Sequence, residues 1–405
     1  MSEASFGPAP ARPVRLTVVS THPIQYYTPL FRCLAQARRH LRLDVLYITR
    51  PTPAQQGIGY GVPFVWDLPL LEGHPQRILR PPLGSDDFGR FFGLRARGLR
   101  AAIVETDPDV VLVPGWEYFA SLQALLACRA LGLPVLYRGD TSLLQAPKPY
   151  RLRHVAWVVR THALLRLYSA YLAVGRHARR YLERFGVSER NVFRSPHCVD
   201  VDFFRTASSP LRRPEQRGCL RRSFGCGNED FVVLFAGKIV PEKRLDLLIE
   251  ALAGLGPRTR LLVAGTGTAE ERCRRLAEVH GVRASWLGFR NQGKLPEVYA
   301  AADVLCLPSE RETWGLVVNE ALACGTPCVV SDGVGCAPDL IETPWTGEVF
   351  RRGDVRALRE ALLRIRDRRR RGVDYSTACL RMAASHSPLA ASRGIVAACR
   401  HVTGL

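Results

Sequence analysis

Apolar runs and amphipathic helical stretches alternate along most of this chain, and the alternation halts once and restarts. In the first half the pattern predicts strands at 15–20, 42–47, 110–113, 134–137, 171–174 and 191–194. Helices are expected between them at 29–37, 87–105, 118–131 and 176–185. A Pro-, Arg- and Ser-rich stretch at 206–219 reads as a linker. Beyond it, strands are expected at 231–236, 261–265, around Trp286, and at 303–308 and 327–330, with helices at 244–253, 269–280, 295–301 and 315–323. Such alternation implies parallel sheets covered on both faces, that is, an α/β chain of two doubly wound, Rossmann-like domains with a ligand cleft between them.

The 405 residues allow two domains of roughly 150–200 residues each. The expected division is a disordered lead-in over 1–13, a first domain over 14–205, a second over 206–372, and closing helices over 373–405 that pack back toward the first. The lead-in carries no apolar core and does not read as a signal peptide. The best candidate for a membrane span, 155–174, is interrupted by Arg160, His162 and Arg166, so no transmembrane helix is expected. Twelve cysteines are scattered without a C-x-x-C pair. They read as small hydrophobes and as reduced thiols in a cytoplasm, not as a zinc site.

A net charge of +20 needs an explanation, and nearly all of the positive charge is Arg. Heavy Arg use accounts for part of the excess as composition alone. The functional alternative is attraction to anionic lipid or to a phosphorylated acceptor. No nucleic-acid motif accompanies the charge, so nucleic acid is not expected as a partner. The stretch 148–168, with Tyr150, Arg151, Arg153, Trp157, Arg160, Leu164, Leu165 and Arg166, reads either as a basic interfacial helix or as an Arg-rich packing helix. The run 364–371 reads as the solvated face of a late helix.

Two of the four lysines, Lys238 and Lys243, fall in one strand-to-helix turn, FAGKIVPEKRLDLL, after Gly237. A flexible ammonium at a helix start is suited to a phosphate. The next such turn, VAGTGTAEE, adds Gly265 and Gly267, weak on their own. Further on, PSERETWGLVVNEALACGTPCVVSD places Glu312 and Glu320 on either side of a Trp-Gly turn that opens a helix. A glycosidase pair needs its carboxylates about 5–9.5 Å apart, whereas eight helical residues span about 12 Å. The two acids therefore read as grips on two parts of one elongated ligand, because carboxylates accept hydrogen bonds from sugar and ribose hydroxyls. Asp107-Pro-Asp109 and Asp200-Val-Asp202 have the spacing of a metal-binding Asp-x-Asp motif, but the first leads into a strand and the second into the linker.

These landmarks, with WLGFRNQGKLPEVYAAADVLCLPS and PHCVDVDFF, occur in an order and spacing that resembles the retaining glycosyltransferases of the GT-B fold, the large glycosyltransferase family 4. The resemblance covers about residues 190–350. It implies a transferase that moves a hexose from a UDP- or GDP-sugar to an acceptor, such as a lipid-linked or polysaccharide precursor at the inner face of a membrane, with no cofactor and no metal. It also implies that Glu312 contacts the donor hexose and Glu320 the ribose, that Lys243 and Lys238 neutralise the diphosphate, and that the backbone at Trp314, Gly315 and Leu316 faces the sugar and phosphates. Lys238 stands where the family usually has Arg, which keeps the charge and loses a bidentate fork. Arg290 falls near the base. The first domain departs from the pattern: His22 and Gln25 replace a Gly-Gly loop after the first strand. Asp140 falls where many relatives place a His. His22 is either a donor to the ligand or a buried turn residue, and Asp140 either a ligand contact or a helix cap. The alternative readings are a sugar-nucleotide epimerase of the same architecture, or transfer to a small soluble acceptor.

Overall fold

The computed structural model describes residues 6–8, 10–83, 85–146 and 152–405. Residues 1–5 and Ala9 of the expected lead-in, and Lys148, Tyr150 and Arg151 of the basic stretch, lie outside the described residues. The chain forms two compact units. One is Met1–Gln56, Pro69–Cys198 and Pro388–Leu405; the other is Gly57–Leu68 and Val199–Ser387.

In the first unit, strands β1 (Val14–Ser20), β2 (Leu41–Tyr47), β3 (Gln76–Ile78), β4 (Val110–Pro114), β5 (Val135–Gly139), β6 (Ala170–Ala173) and β7 (Val192–Arg194) form one sheet in the order β3-β2-β1-β4-β5-β6-β7. Every pairing is parallel. Alternate residues of each strand feed opposite cores, which is why the strands are apolar along their length. Leu16, Val18, Leu112 and Leu136 join Phe31 and Ile395 on one face. Val19, Val111, Val113 and Tyr137 join Ile103 and Leu125 on the other. The helix Pro388–Thr403 supplies Ala391, Ile395 and Cys399 to the first of these cores.

In the second unit, β8 (Phe231–Ala236), β9 (Thr259–Ala264), β10 (Ala284–Gly288), β11 (Val304–Leu307), β12 (Cys328–Ser331) and β13 (Gly347–Phe350) pair in the order β10-β9-β8-β11-β12-β13, again all parallel. Both sheets are doubly wound, as the alternation implied.

Four expectations are corrected. The helix expected at 87–105 is confined to Leu99–Glu105, with a single turn at Phe91–Gly93, because Gly98 takes a left-handed φ of 70° at the helix start. The stretch 206–219 is not an open linker. It lies in the helices Val201–Ser208 and Pro214–Ser223 and the short turn between them. Its arginines fold it: Arg217 donates to the carbonyls of Ala300 and Ala302 at 3.0 and 2.9 Å, and Arg221 to that of Ala301 at 2.9 Å. These are carbonyls at the end of the helix Leu295–Ala301, which need partners. The run 364–371 is not simply a solvated face. Arg364 and Arg368 clamp the buried Glu348, Arg366 donates to the Leu255 carbonyl at 2.9 Å, and Arg369 lies 3.1 Å from Asp303. Part of the lead-in is also placed: Phe6 packs on the first core, and Arg400 donates to the Pro8 carbonyl at 2.7 Å.

The segment Gly57–Leu68 belongs to the second unit although unit-one sequence flanks it on both sides. Asn291 Nδ2 donates to the Val65 carbonyl at 2.7 Å, and the Gly293 amide to the Asp67 carboxylate at 3.0 Å. Phe64 stacks against Phe289 with centroids 4.4 Å apart.

Candidate functional site

The lysine turn of the second unit follows β8. A single tight turn, Pro241–Lys243, leads through Arg244, in left-handed conformation at φ 53°, into the helix Leu245–Leu252. The loop carrying Gly265 and Gly267 runs beside this turn: the Ile239 amide donates to Thr266 O at 2.8 Å, and the Ala269 amide to Ile239 O at 2.9 Å. On the other side the Glu310 amide donates to Glu242 O at 2.9 Å. The Glu312 amide donates to Gly333 O at 3.0 Å, and Gly335 returns a bond to Glu312 O. Three loops that are distant in sequence are thereby fixed to one another by backbone.

This places Lys243 in direct ion contact with Glu312, both side chains being mostly buried. Burial lowers the Lys243 pKa to about 8, and the nearby Lys238 charge pushes the same way. The Glu312 carboxylate opposes that shift by favouring the ammonium. Lys238, whose pKa burial also lowers, donates to the Ile58 carbonyl at 2.9 Å and lies 5.2 Å from the centre of the Tyr60 ring. Thr266 Oγ1 donates to Tyr60 O at 2.6 Å. The segment Gly57–Leu68 therefore holds one of the two lysines in this structure.

Gly315, at φ 98°, opens the helix Leu316–Ala323, and no side chain caps its first turn. The Val318 amide donates to Gly315 O at 2.9 Å, and the amides ahead of it, those of Leu316 and Val317, are the helix-start donors that an anion can use. Trp314 turns its side chain inward, where its Nε1 donates to Asn319 Oδ1 at 2.8 Å, and its carbonyl accepts from the Cys336 amide at 3.0 Å. Glu320 is buried on this helix. It accepts from Tyr299 Oη at 2.6 Å and from Gln292 Nε2 at 3.1 Å. Burial raises its pKa to about 7 despite those two bonds. Arg290 has a buried Nε without a hydrogen-bond partner. Gly237 follows β8, its amide donating to Ala264 O at 2.9 Å. Gln292, Tyr299 and Tyr60 were not singled out from sequence. Nothing in their local pattern marks them, and they reach Glu320 or Lys238 only through the fold.

The raised pKa of Glu320 has a measurable consequence. The unfolded chain ionises this group near the ordinary carboxylate value of 4.5, the folded chain near 7. The contribution to stability is full below 4.5, falls as pH rises from 4.5 to 7, and is constant above. The difference in unfolding midpoint between wild type and Glu320→Gln is expected to change across that window and to level off above it. Parallel pH profiles of the two proteins would contradict this.

In the first unit, the ends of β1, β4 and β5 surround a cavity of about 320 Å³. His22, Tyr26, Trp116, Glu117, Arg138, Asp140 and His197 line it, and Gln25 lies outside the lining. Asp140 Oδ2 is 3.7 Å from His197 Nε2. Burial pushes the Asp140 pKa up, but the His197 contact and the Arg138 charge outweigh it and hold it below its ordinary value. His197 is lowered by burial, against the pull of Asp140. His22 is lowered by burial to about 4 and is neutral at physiological pH. Its Nδ1 lies 3.0 Å from Thr21 Oγ1. Asp140 does not cap a helix: the cap position of the short turn that follows, Leu143–Gln145, is Ser142. Arg138 is fully buried, donates to Ser195 and Pro196 and lies 5.3 Å from the Tyr27 ring centre, and among the described residues its Nη1 has no hydrogen-bond partner. A charged residue at the end of an apolar strand was the available signal for Arg138. His197 and Glu117 gave none.

Both Asp-x-Asp pairs have structural roles. Asp109 accepts from Arg12, Arg15 and the Arg15 amide. Asp200 caps the helix Val201–Ser208 through the Phe203 amide at 3.0 Å. No helix among the described residues is long and apolar enough to cross a membrane.

The two halves of the chain match two family descriptions: residues 33–203 match "Glycosyltransferase Family 4", and residues 218–376 match "Glycosyl transferases group 1". A D-inositol 3-phosphate glycosyltransferase of Mycolicibacterium smegmatis is 34% identical over 177 residues, 42% of this chain and 38% of that protein. A GDP-mannose-dependent monoacylated alpha-(1-6)-phosphatidylinositol monomannoside mannosyltransferase of Corynebacterium glutamicum is 32% identical over 199 residues, 47% of this chain and 50% of its own. The match thus spans half or less of the length of these relatives. Among solved structures, HepE from Anabaena in complex with UDP superposes with a TM-score of 0.70 at 18% identity, covering 97% of this chain and all of that one. Two parallel doubly wound sheets, the lysine turn, the glutamate loop and these matches agree: the chain has the GT-B fold and belongs to glycosyltransferase family 4.

Proposed function

We propose that the protein is a retaining, metal-independent hexosyltransferase that uses a nucleoside-diphosphate sugar. The observation that carries the reading is the Lys243–Glu312 contact beside the uncapped start of the helix Leu316–Ala323. An ammonium and free amides suit a diphosphate, and the adjoining carboxylate suits a sugar hydroxyl. Lys243, Lys238 and the backbone at Gly315 stabilise charge on the leaving diphosphate, which is help aimed at the transition state. Glu320 takes the ribose and Arg290 lies toward the base. Lys238 joins only when it exchanges the Ile58 carbonyl for a phosphate oxygen. The first unit's cavity takes the acceptor, whose hydroxyl is oriented by Asp140 and His197, with His22 as a neutral hydrogen-bonding group. In this reading the acceptor hydroxyl attacks on the face from which the diphosphate leaves, and the leaving phosphate oxygen receives its proton.

The relative named for a monoacylated phosphatidylinositol mannoside favours a lipid-linked acceptor, whereas the one named for D-inositol 3-phosphate favours the alternative of a small soluble acceptor. The helix Leu152–Leu165 favours contact with an anionic membrane, since Val155, Val158 and Val159 are exposed beside the exposed Arg160. Such an enzyme works in the cytoplasm, peripheral to the inner face of the membrane.

A thermal-shift series with UDP, GDP and their hexose conjugates tests the donor. Ligand at a hundred times its Kd adds about 2.7 kcal/mol by mass action, and one base is expected to raise Tm by several degrees. No shift with any of them would remove the transferase reading. Co-sedimentation with vesicles tests the membrane: binding is expected with anionic lipid and not with neutral lipid, and equal recovery from both would count against it.

A further inference from the structure

A second cavity adjoins the one that holds Asp140. Its volume is about 530 Å³, and Trp116, Glu117 and Thr141 line both. Its own walls are Phe91, Leu122, Trp157, Leu164 and Tyr181, with Arg160 among them. The first cavity is ringed by charged and hydrogen-bonding side chains; the second is walled mostly by aromatic and aliphatic ones, its polar groups being Ser142, Arg160 and the shared Glu117 and Thr141. Trp116 stacks on Tyr137 with centroids 5.0 Å apart, and Trp157 rests against Phe185 at 5.2 Å, so two indoles are held by packing. Ser142 also lines this chamber, and among the described residues its buried Oγ has no hydrogen-bond partner. A buried hydroxyl left unpaired is destabilising. In a chamber whose walls are mostly apolar it marks the place of a ligand oxygen. An apolar chamber with one or two placed polar groups is the usual build of a small-molecule site.

We infer that this chamber binds an apolar arm of the acceptor, an alkyl or aryl group joined through an oxygen to the hydroxyl-bearing head. The inference rests on the reading of the first cavity as the acceptor site and adds the chemical class of the acceptor. The head occupies the polar cavity near Asp140 and Arg138, Ser142 Oγ donates to the linking oxygen, and the arm lies between Trp116 and Trp157. Trp157 also lines an apolar groove of about 370 Å³ with Leu143, Val158 and Phe185. A longer arm leaves the chamber past Trp157 toward the exposed valines of the helix Leu152–Leu165. A free sugar or polyol would leave the chamber unfilled and Ser142 unpaired, so the site discriminates in favour of amphiphilic acceptors.

The test is direct binding to the full chain, read by tryptophan fluorescence and calorimetry. Octyl glycosides of glucose, galactose and mannose, below their micelle concentrations, are compared with the methyl glycosides of the same sugars. At least one octyl glycoside is expected to bind ten times or more tighter than its methyl counterpart and to change the tryptophan emission. Leu164→Phe, which fills the chamber, is expected to bring the octyl affinity down to the methyl value; Leu122→Phe serves if the first variant does not fold. No octyl advantage with any of the three sugars, or an advantage untouched by the filling variant, overturns the inference. Hydrolysis of the UDP- or GDP-sugar by the same preparation separates the two readings. Donor turnover without an octyl advantage sinks only the arm site, and absence of donor turnover and nucleotide binding sinks the transferase.

Discussion

Lys243→Ala is expected to lower turnover of the nucleotide sugar by roughly a hundredfold to a thousandfold, the range seen when one preorganised group facing developing charge is removed. The turn that carries Lys243 is tied through Glu242 O to the Glu310 amide, and the loop beyond it carries Glu312. The ammonium is therefore already in place before a diphosphate arrives, so no reorganisation is needed when charge develops on the leaving group. Lys243→Ala also leaves the Glu312 carboxylate mostly buried and without its ion partner. Donor affinity is expected to fall together with kcat. Glu312→Ala has the reverse character: it frees the ammonium, and it is expected to reduce kcat more than nucleotide affinity if the carboxylate has the proposed role at the sugar. Hydrolysis and transfer assays of both variants, with UDP or GDP affinity measured alongside, check this. Near-normal turnover in both would remove the assignment.

Asp303→Ala is expected to destabilise the second unit by about 3–5 kcal/mol, the cost of leaving a buried charge without its partner. Asp303 precedes β11 and receives Arg217 at 2.9 Å, Arg221 at 2.8 Å, Arg369 at 3.1 Å and the Val232 amide at 2.8 Å. Burial alone would raise its pKa, but the three guanidiniums hold it below the ordinary carboxylate range. Arg221 is itself buried, so removal of the carboxylate strands it among apolar neighbours and carbonyls. The helices Pro214–Ser223 and Val355–Arg370 are both anchored here, to each other and to the sheet. Chemical denaturation followed by circular dichroism is expected to show a lower midpoint for the transition of this unit. Asp303→Asn should fall between, since it keeps an acceptor and loses the charge. A midpoint unchanged in Asp303→Ala would mean that the cluster is solvated in solution.

The same cluster shows why the excess of arginine was hard to interpret. Charge counting assigns Arg217, Arg221, Arg364, Arg368 and Arg369 to solvent or to an anionic partner. Their guanidiniums instead serve helix-end carbonyls and two buried acids, Asp303 and Glu348. An arginine's forked donors can satisfy several acceptors at once, but those acceptors lie 80 residues or more away for Arg217 and Arg221. No periodicity encodes such a pairing.

What the sequence determined by itself is what depends on local period and on burial. The apolar strands of both sheets were legible because residues on both of their faces enter a core, as Val110 and Leu112 do on one side and Val111 and Val113 on the other. The lysine turn and the two glutamates were legible as a group because a strand-to-helix turn places its residues at one sheet edge. β3 and β13, and the helices in the stretch taken for a linker, were not legible: β3 is Gln-Arg-Ile with its first two residues exposed, β13 is Gly-Glu-Val-Phe with only two apolar residues, and Arg-rich helices have little apolar face. The tertiary structure alone decided which distant groups meet. It paired Lys243 with Glu312, gave Glu320 a tyrosine and a glutamine, set Asp140 beside His197, turned the Trp314 indole into the core, and laid the segment Gly57–Leu68 on Lys238. The physical reason is that hydrophobic burial acts along each element as a pattern, whereas a hydrogen bond or ion pair is a contact between two points that only the completed fold brings together.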